Sequence, residues 1–329
     1  MPTIHYLNVL DGDCSAIKHN SGHVTVIDVC NASEENALLE KVMASRAAEE
    51  KGLMGNFNQK QYPVNPISYF KNHGITSVFR FIATHPDMDH LDGFKLFCQT
   101  FEPANFWDTD NQEEKDFSKE TKYDEADWLF YKKLRDSNPE TNPKRLTLYS
   151  NAQGKYYNED ENGKTGGDGI HILAPTEELI SAANESKDYN DCSYVILYIT
   201  GGHRILFGGD SHDNTWEHIL SKHKTDVKNV DLLIAPHHGR ASKRSYEFLD
   251  VLKPKMTFFG NAKSEHLAYS AWNYRNLPFI TNNQAGCMVV DAGEDPVDLY
   301  VTNERFARAA NSSTFYSNNF KAYYYGPIL

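Results

Sequence analysis

Apolar and polar positions along this chain alternate in short runs whose lengths suit strands better than long helices. Residues 4–10 (Ile-His-Tyr-Leu-Asn-Val-Leu) lead into the turn Asp11-Gly-Asp13, and a second run at 24–29 follows the turn signal Asn20-Ser-Gly22. These predict strands at the edge of a sheet. Residues 34–52 place Leu38, Leu39, Val42 and Met43 among Glu, Ala and Lys, the spacing of an amphipathic helix. Another strand-like run, 77–83, delivers the chain directly into a cluster of histidines and aspartates, so chemistry is expected at the end of that strand. Further runs at 170–173, 194–199, 204–207, 231–235 and 256–260 have short helical patterns between them. Strands interleaved with helices predict an α/β protein.

Residues 105–165 differ in composition. They hold Asp110-Asn-Gln-Glu-Glu-Lys-Asp116, a predicted helix over 125–135 and a polar stretch at 158–169. Such a segment is expected as a helical and polar insertion, at about 105–168, in a single domain covering 1–329. No internal repeat of fixed period is present. The chain closes on an aromatic tail at about 305–329, ending Tyr323-Tyr-Tyr-Gly-Pro-Ile-Leu329, which is expected to pack on the body or on a partner.

Composition narrows the class without changing this outline. With 329 residues, 40% hydrophobic and 24% charged, the chain reads as an ordinary globular protein rather than a disordered or fibrous one. No stretch approaches the roughly 20 apolar residues of a membrane span, and residues 1–5 show no basic region followed by an apolar run. The expectation is a cytoplasmic protein without a membrane span. Five cysteines, Cys14, Cys30, Cys98, Cys192 and Cys287, are scattered singly and are expected as core thiols. A net charge of -12 argues against a broad nucleic-acid-binding surface. It leaves a phosphodiester substrate open, because carboxylates engaged by metal ions do not act as free negative charges.

The densest chemistry lies in His85-Pro-Asp87-Met-Asp89-His90, where four side chains able to bind a divalent cation fall within six residues. A solvated loop would account for an isolated His-x-Asp pair. Four candidate ligands in one turn after an apolar strand point instead to a metal site. Alternate residues of an extended segment face the same way, so His85 and Asp87 are expected on one ion and Asp89 and His90 on its neighbour. Two ions about 3.5–4 Å apart can hold and deprotonate a water and stabilise the negative charge that develops as it attacks. Hydrolysis is the natural consequence.

Three later segments follow in order: Asn190-Asp-Cys-Ser193, Arg204-Ile-Leu-Phe-Gly-Gly-Asp210, and Asp231-Leu-Leu-Ile-Ala-Pro-His-His-Gly239. With the first cluster, they resemble the metallo-β-lactamase superfamily, whose signature is His-x-His-x-Asp-His. Asp87 stands where the commonest version has histidine, and His-x-Asp-x-Asp-His is similar to the nuclease-like domain of the ComEC competence DNA-uptake family. Arg240 replaces the serine usual after that family's Pro-His-His-Gly turn. The opening Asn8-Val-Leu-Asp-Gly-Asp13 and Val26-Ile-Asp28 are weaker relatives of its first elements.

This resemblance implies a metallo-β-lactamase αββα sandwich holding two divalent ions. His85 and Asp87 would bind one ion, Asp89 and His90 the other, with Asp210 bridging. His237, first after its strand, is favoured to complete the second ion's shell, leaving His238 as a proton-donating group; the reverse assignment stays open. No third-motif histidine precedes Asp210, so Asp191, Asn190 or water fills that place. With Asp191 the site becomes oxygen-rich, and Mn²⁺ competes better with Zn²⁺.

Asp89 and Asp210 would position the nucleophile, and His238 or His266 would protonate the leaving group. Arg240, Lys243 and Arg244 are candidates to bind phosphate oxygens. The function implied is a phosphodiesterase or nuclease acting on DNA, RNA or a small nucleotide, alongside a protein partner encoded nearby. The chain matches only the hydrolase-like portion of ComEC proteins and cannot itself be a DNA channel. Two other classes remain: an acyl-thioester or lactone hydrolase of the same superfamily, and a non-enzymatic metal-binding module. Asp89 argues against the module, since a purely structural site has no need of it beside the histidines.

Overall fold

A computed structural model describes residues 1–33, 57–119, 122–137, 142–242, 244–262 and 266–329. The helix expected over 34–52 lies outside the described residues. The first sheet takes β1 (Thr3–Tyr6), β2 (Ser15–Lys18), β3 (Val24–Ile27), β4 (Arg80–Ile82), β5 (Asn105–Trp107) and β6 (Lys144–Leu146). A second sheet follows with β7 (Ile170–Ala174), β8 (Val195–Thr200), β9 (His203–Phe207), β10 (Leu232–Ile234), β11 (Met256–Phe259) and β12 (Phe279–Thr281). The chain then returns to the first sheet with β13 (Met288–Asp291), β14 (Val297–Val301), β15 (Tyr316–Ser317) and β16 (Ala322–Ile328). The ten-stranded order is β15-β16-β14-β13-β1-β2-β3-β4-β5-β6, and the six-stranded order is β12-β11-β10-β9-β8-β7.

Side-chain alternation stacks these sheets into four layers. In β8, Ile196 and Tyr198 enter the core between the sheets, while Val195 and Leu197 face the other way. In β4 and β5, Ile82 and Trp107 point between the sheets, and Phe81 and Phe106 point out. The outward face of the first sheet is covered by helices Pro66–Asn72, Phe94–Phe101 and Glu125–Arg135 through Phe70, Phe97 and Tyr131. Helices Asp213–Lys222, Phe248–Leu252 and Tyr269–Tyr274 cover the second sheet through Trp216, Leu249 and Trp272. The architecture is an αββα sandwich. Burying each such apolar side chain contributes roughly 1.5–3 kcal/mol, so both faces of each sheet are specified by hydrophobic burial.

The N-terminal strands are not at a sheet edge as their pattern predicts. β1, β2 and β3 lie inside the ten-stranded sheet because β13, from the far end of the chain, pairs with β1 through Thr3–Asp291 to Tyr6–Met288. That pairing is non-local, and no local run of residues announces it. Residues 105–168 contribute β5 and β6 to the first sheet, with Trp107 in the core between the sheets. In the C-terminal segment, β16 pairs with β14, and Tyr300, Phe320 and Tyr324 pack together on one face. All five cysteines are buried and none forms a disulfide. No described helix is long and apolar enough to cross a membrane.

The sheet topology prepares the site. β3 and β4 are parallel neighbours in one sheet, and β9 and β10 are parallel neighbours in the other. Their C-terminal ends deliver Asp28, His85, Asp210 and the His237-His238 pair to one end of the sandwich.

Candidate metal centre

The backbone around this end is unusual in ways side-chain chemistry explains. Asp28, directly after β3, has φ of 57°, and His237 and His238 have φ of 54° and 56°. Left-handed conformations at non-glycine residues cost of the order of 1–3 kcal/mol and persist where the surroundings over-determine them. Here the surroundings are hydrogen bonds. Asp28 accepts from the Thr84 N–H (2.8 Å), the Thr84 hydroxyl (2.7 Å) and His90 Nδ1 (2.8 Å). His237 N–H donates to the Gly209 carbonyl, and Asp210 N–H donates to the Ser193 hydroxyl. At Gly12, a Cβ would meet the Asp89 carbonyl at 1.9 Å, so only glycine lets the β1–β2 turn lie against the Asp89 loop.

Several buried polar atoms converge without hydrogen-bond partners: Nε2 of His85, His90 and His238, and Oδ1 of Asp210. Asp210 is the hub. Its Oδ1 is 3.4 Å from His90 Nε2, and its Oδ2 is 3.6 Å from His238 Nε2, 3.8 Å from His237 Nε2 and 3.9 Å from His85 Nε2. Asp89 Oδ2 is 3.5 Å from His238 Nε2. Three convergent triads result among the described residues: His85, His90 and Asp210; Asp89, His90 and His238; Asp13, Asp210 and His238. A tetrahedral ion with arms of about 2.0–2.1 Å needs ligand separations of about 3.4 Å. The donors fit a divalent cation.

Tautomers sort the histidines. Thr84 gives its hydroxyl proton to Asp28, so it accepts from His85 Nδ1 (3.1 Å) and leaves Nε2 with a lone pair. His90 Nδ1 donates to Asp28, again freeing Nε2. His238 Nδ1 lies 3.0 Å from Asp13 Oδ1, off the ring N–H axis, with Nε2 toward Asp89 and Asp210. His237 is the opposite case. Its Nδ1 is 3.0 Å from Arg244 Nη2, which can only donate, so the neutral ring carries its proton on Nε2. Burial, with Arg244 and His238 nearby, holds His237 down at about 4 against the pull of Asp210.

Without an ion the centre balances its charges with protons. Burial alone would lower His90 and His238, but Asp210 and Asp28 raise His90 well above the usual imidazole range, and Asp13 and Asp210 raise His238 to about 10. Burial works against the Asp89 carboxylate, yet His238 and His90 bring it down to about 2. Asp210 is held well below the carboxylate range, His238 and His90 outweighing its desolvation. A cation taking these lone pairs must displace the protons. Both imidazoles titrate upward of neutrality, so apparent Zn²⁺ affinity is expected to rise with pH from 6 to 8, about tenfold per unit for each proton released. Calorimetry in buffers of different ionisation enthalpy checks this; a binding enthalpy independent of the buffer contradicts it.

The structure brings His85, Asp89, His90, Asp210 and His238 together, with Asp13 and Asp28 supporting them. His237 stands in none of the triads. Asp87 sits at the rim, its Oδ2 3.5 Å from His85 Nε2 and its Oδ1 accepting from Lys115 Nζ at 3.1 Å. Asp191 is engaged elsewhere: it accepts from the Thr215 N–H and hydroxyl and from Asn214 Nδ2 at the start of helix Asp213–Lys222. The exposed His266 has its carbonyl bonded to Ala241 N–H, beside the turn that carries His237 and His238. Arg240 is half-buried and pairs with Leu267 in an isolated bridge. Lys243 lies outside the described residues. Arg244 is buried, and its Nη2 donates to the Asp210 carbonyl as well as to His237. It borders a cavity of about 360 Å³ lined also by Asp191, His212, Asp213 and Ser242.

Sequence reasoning assigned no role to Thr84 or Lys115 and gave Asp13 and Asp28 only as echoes of family elements. Asp28 carried the better signal, an aspartate immediately after an apolar strand. No protein-family description matches the chain, and no curated protein matches it. Among solved structures it is similar to Igni18, a metallo hydrolase from the archaeon Ignicoccus hospitalis, at 9% identity over 85% of this chain and 94% of that one, with a TM-score of 0.45. It is also similar to the metallo-β-lactamase fold protein YhfI from Bacillus subtilis, at 11% identity over 85% and 96% of the two chains, with a TM-score of 0.40. A third is a diphosphatase of the PhnP family, at 14% identity over 85% and 94%, TM-score 0.40.

Proposed function

We propose that this chain is a metal-dependent hydrolase of the metallo-β-lactamase type, acting on phosphodiesters. The observation that carries the reading is the convergence of three unpartnered imidazole Nε2 atoms on the two oxygens of the buried Asp210 carboxylate, Oδ1 of which is itself unpartnered. Asp89, His90, Asp210 and His238 would hold a divalent cation, Zn²⁺ or Mn²⁺. A bound ion would supply a Lewis acid that lowers the pKa of water and polarises the scissile group.

The chain's own residues supply the rest. Asp28 fixes the His90 ring and, through Thr84, orients His85. Asp13, which accepts from the Tyr6 hydroxyl at 2.7 Å, holds His238. His237 presents a neutral N–H at Nε2 toward the centre, kept there by Arg244, and would donate a hydrogen bond to a leaving oxygen. The phosphodiester choice rests on the cationic side chains around this turn, Arg240 and Arg244, and on Lys115 at Asp87; an acyl group would have less use for them.

Purified protein loaded with Zn²⁺ or Mn²⁺ and offered bis-p-nitrophenyl phosphate, single-stranded DNA and an acyl-thioester in parallel is expected to cleave the phosphodiesters. Cleavage of the thioester alone overturns the substrate class, and an inert, metal-loaded protein overturns the enzyme.

A further inference from the structure

The two halves of the His-x-Asp-x-Asp-His segment are not equivalent. Asp89 and His90 meet two further donors, Asp210 and His238, at separations of 3.4 to 3.6 Å. His85 converges with His90 and Asp210, its Nε2 3.9 Å from Asp210 Oδ2, but Asp87 joins none of the convergent triads and meets only His85 among these donors. Asp191, one of the sequence's candidates to complete a first ion's shell, spends its oxygens on Thr215 and Asn214.

What Asp87 does meet is a cation. Lys115 Nζ lies 3.1 Å from Asp87 Oδ1 and 3.6 Å from Glu113 Oε1, and it sits 5.5 Å from the centre of the Trp128 ring. The side chain is only 19% exposed, so two carboxylates and an aromatic face hold the ammonium in one place. A loose surface lysine has no such enclosure. From Lys115 the chain of contacts runs through Asp87 and His85 to Asp210.

We propose that the Lys115 ammonium takes the electrostatic place of a second ion, so that the centre binds one divalent cation per chain. This deepens the hydrolase reading and rests on it. Asp87 then anchors Lys115 instead of ligating metal, and the ammonium, separated from His85 by the Asp87 carboxylate, supplies a fixed positive charge for an anionic oxygen of the substrate. A second divalent ion beside His85 would have to compete with the ammonium for Asp87 and bear its repulsion. The competing arrangement, in which Lys115 merely orients an Asp87 that binds a first ion, gives a different stoichiometry.

The test is an ion count. Chelator-treated protein is titrated with Zn²⁺ alone, and separately with Mn²⁺ alone, by calorimetry, and bound metal is measured after gel filtration. Wild type is expected to bind one ion per chain. Lys115→Met keeps the apolar stem over Trp128 but removes the charge, and is expected to bind a second ion at least about tenfold more tightly than wild type. Lys115→Arg should stay at one, and Lys115→Met with Asp87→Asn should return to one. Inorganic phosphate should bind one-ion Lys115→Met about tenfold more weakly than one-ion wild type. Thermal melts establish that each variant is folded. Two ions in wild type, or an unchanged second-ion affinity in folded Lys115→Met, overturns this inference and leaves the metal-centre reading standing. No ion bound by wild type overturns the centre itself.

Discussion

Replacing His238 with alanine is expected to abolish tight ion binding and to lower phosphodiester hydrolysis by roughly a thousandfold, since Lewis-acid stabilisation is worth several kcal/mol and each 1.4 kcal/mol is tenfold in rate. His238 is fully buried and its Nε2 faces both Asp89 and Asp210. Its removal also leaves Asp13, Asp89 and Asp210 with only His90 of the two imidazoles that balance them, so the metal-free variant should lose about 3–5 kcal/mol of stability. His237→Ala provides the contrast. That variant should keep its ion and lose turnover by about 10²–10³-fold, the scale of a missing hydrogen-bond donor to developing negative charge. Metal content and steady-state rates of the two variants decide between them. An ion lost from His237→Ala and retained by His238→Ala would exchange their roles.

Asp28→Ala is the second large effect. One carboxylate accepts three hydrogen bonds, from the Thr84 N–H, the Thr84 hydroxyl and His90 Nδ1, all of them buried. Truncation leaves these donors unpartnered and sets His90 free to turn, although Asp28 itself touches no ion. Metal affinity is expected to fall about 10–100-fold, the usual cost of losing a carboxylate behind a ligating histidine. Stability should fall by about 3–5 kcal/mol, because a buried charged partner is removed from one side only. Asp28→Asn, which can still accept at one oxygen, should recover part of both. Zn²⁺ titration and urea unfolding of the metal-free proteins measure the two quantities; full affinity in Asp28→Ala would show that His90 is held by packing alone.

Local pattern carries local structure here. The helix at Glu125–Arg135 lies where its residues predict it, and the runs ending before His85, Asp210 and His237 are strands, the first and last shorter than their apolar runs and the middle one extended by His203. The run at 77–83 reduces to Arg80–Ile82, and that at 24–29 ends at Ile27 because Asp28 turns into the left-handed region to reach Thr84 and His90. The N-terminal strands read as an edge because their other partner, β13, lies almost the whole chain away. A sequence shows which residues favour extension, whereas strand order depends on pairings between distant segments.

The centre divides in the same way. His85, Asp89, His90, Asp210 and the His237-His238 pair stand out in the sequence because donor types crowd at strand ends. Spacing cannot say which ring of that pair turns a lone pair inward. The choice comes from Arg244, which donates to His237, and from Asp13, which lies against His238 from the β1–β2 turn. Lys115 and Asp87 meet for a similar reason, across 28 positions of sequence. Donor chemistry and the strand ends that carry it are written in local residue order. Which donors converge is settled by folding, because a side chain's tautomer and direction are set by partners that approach from other parts of the fold.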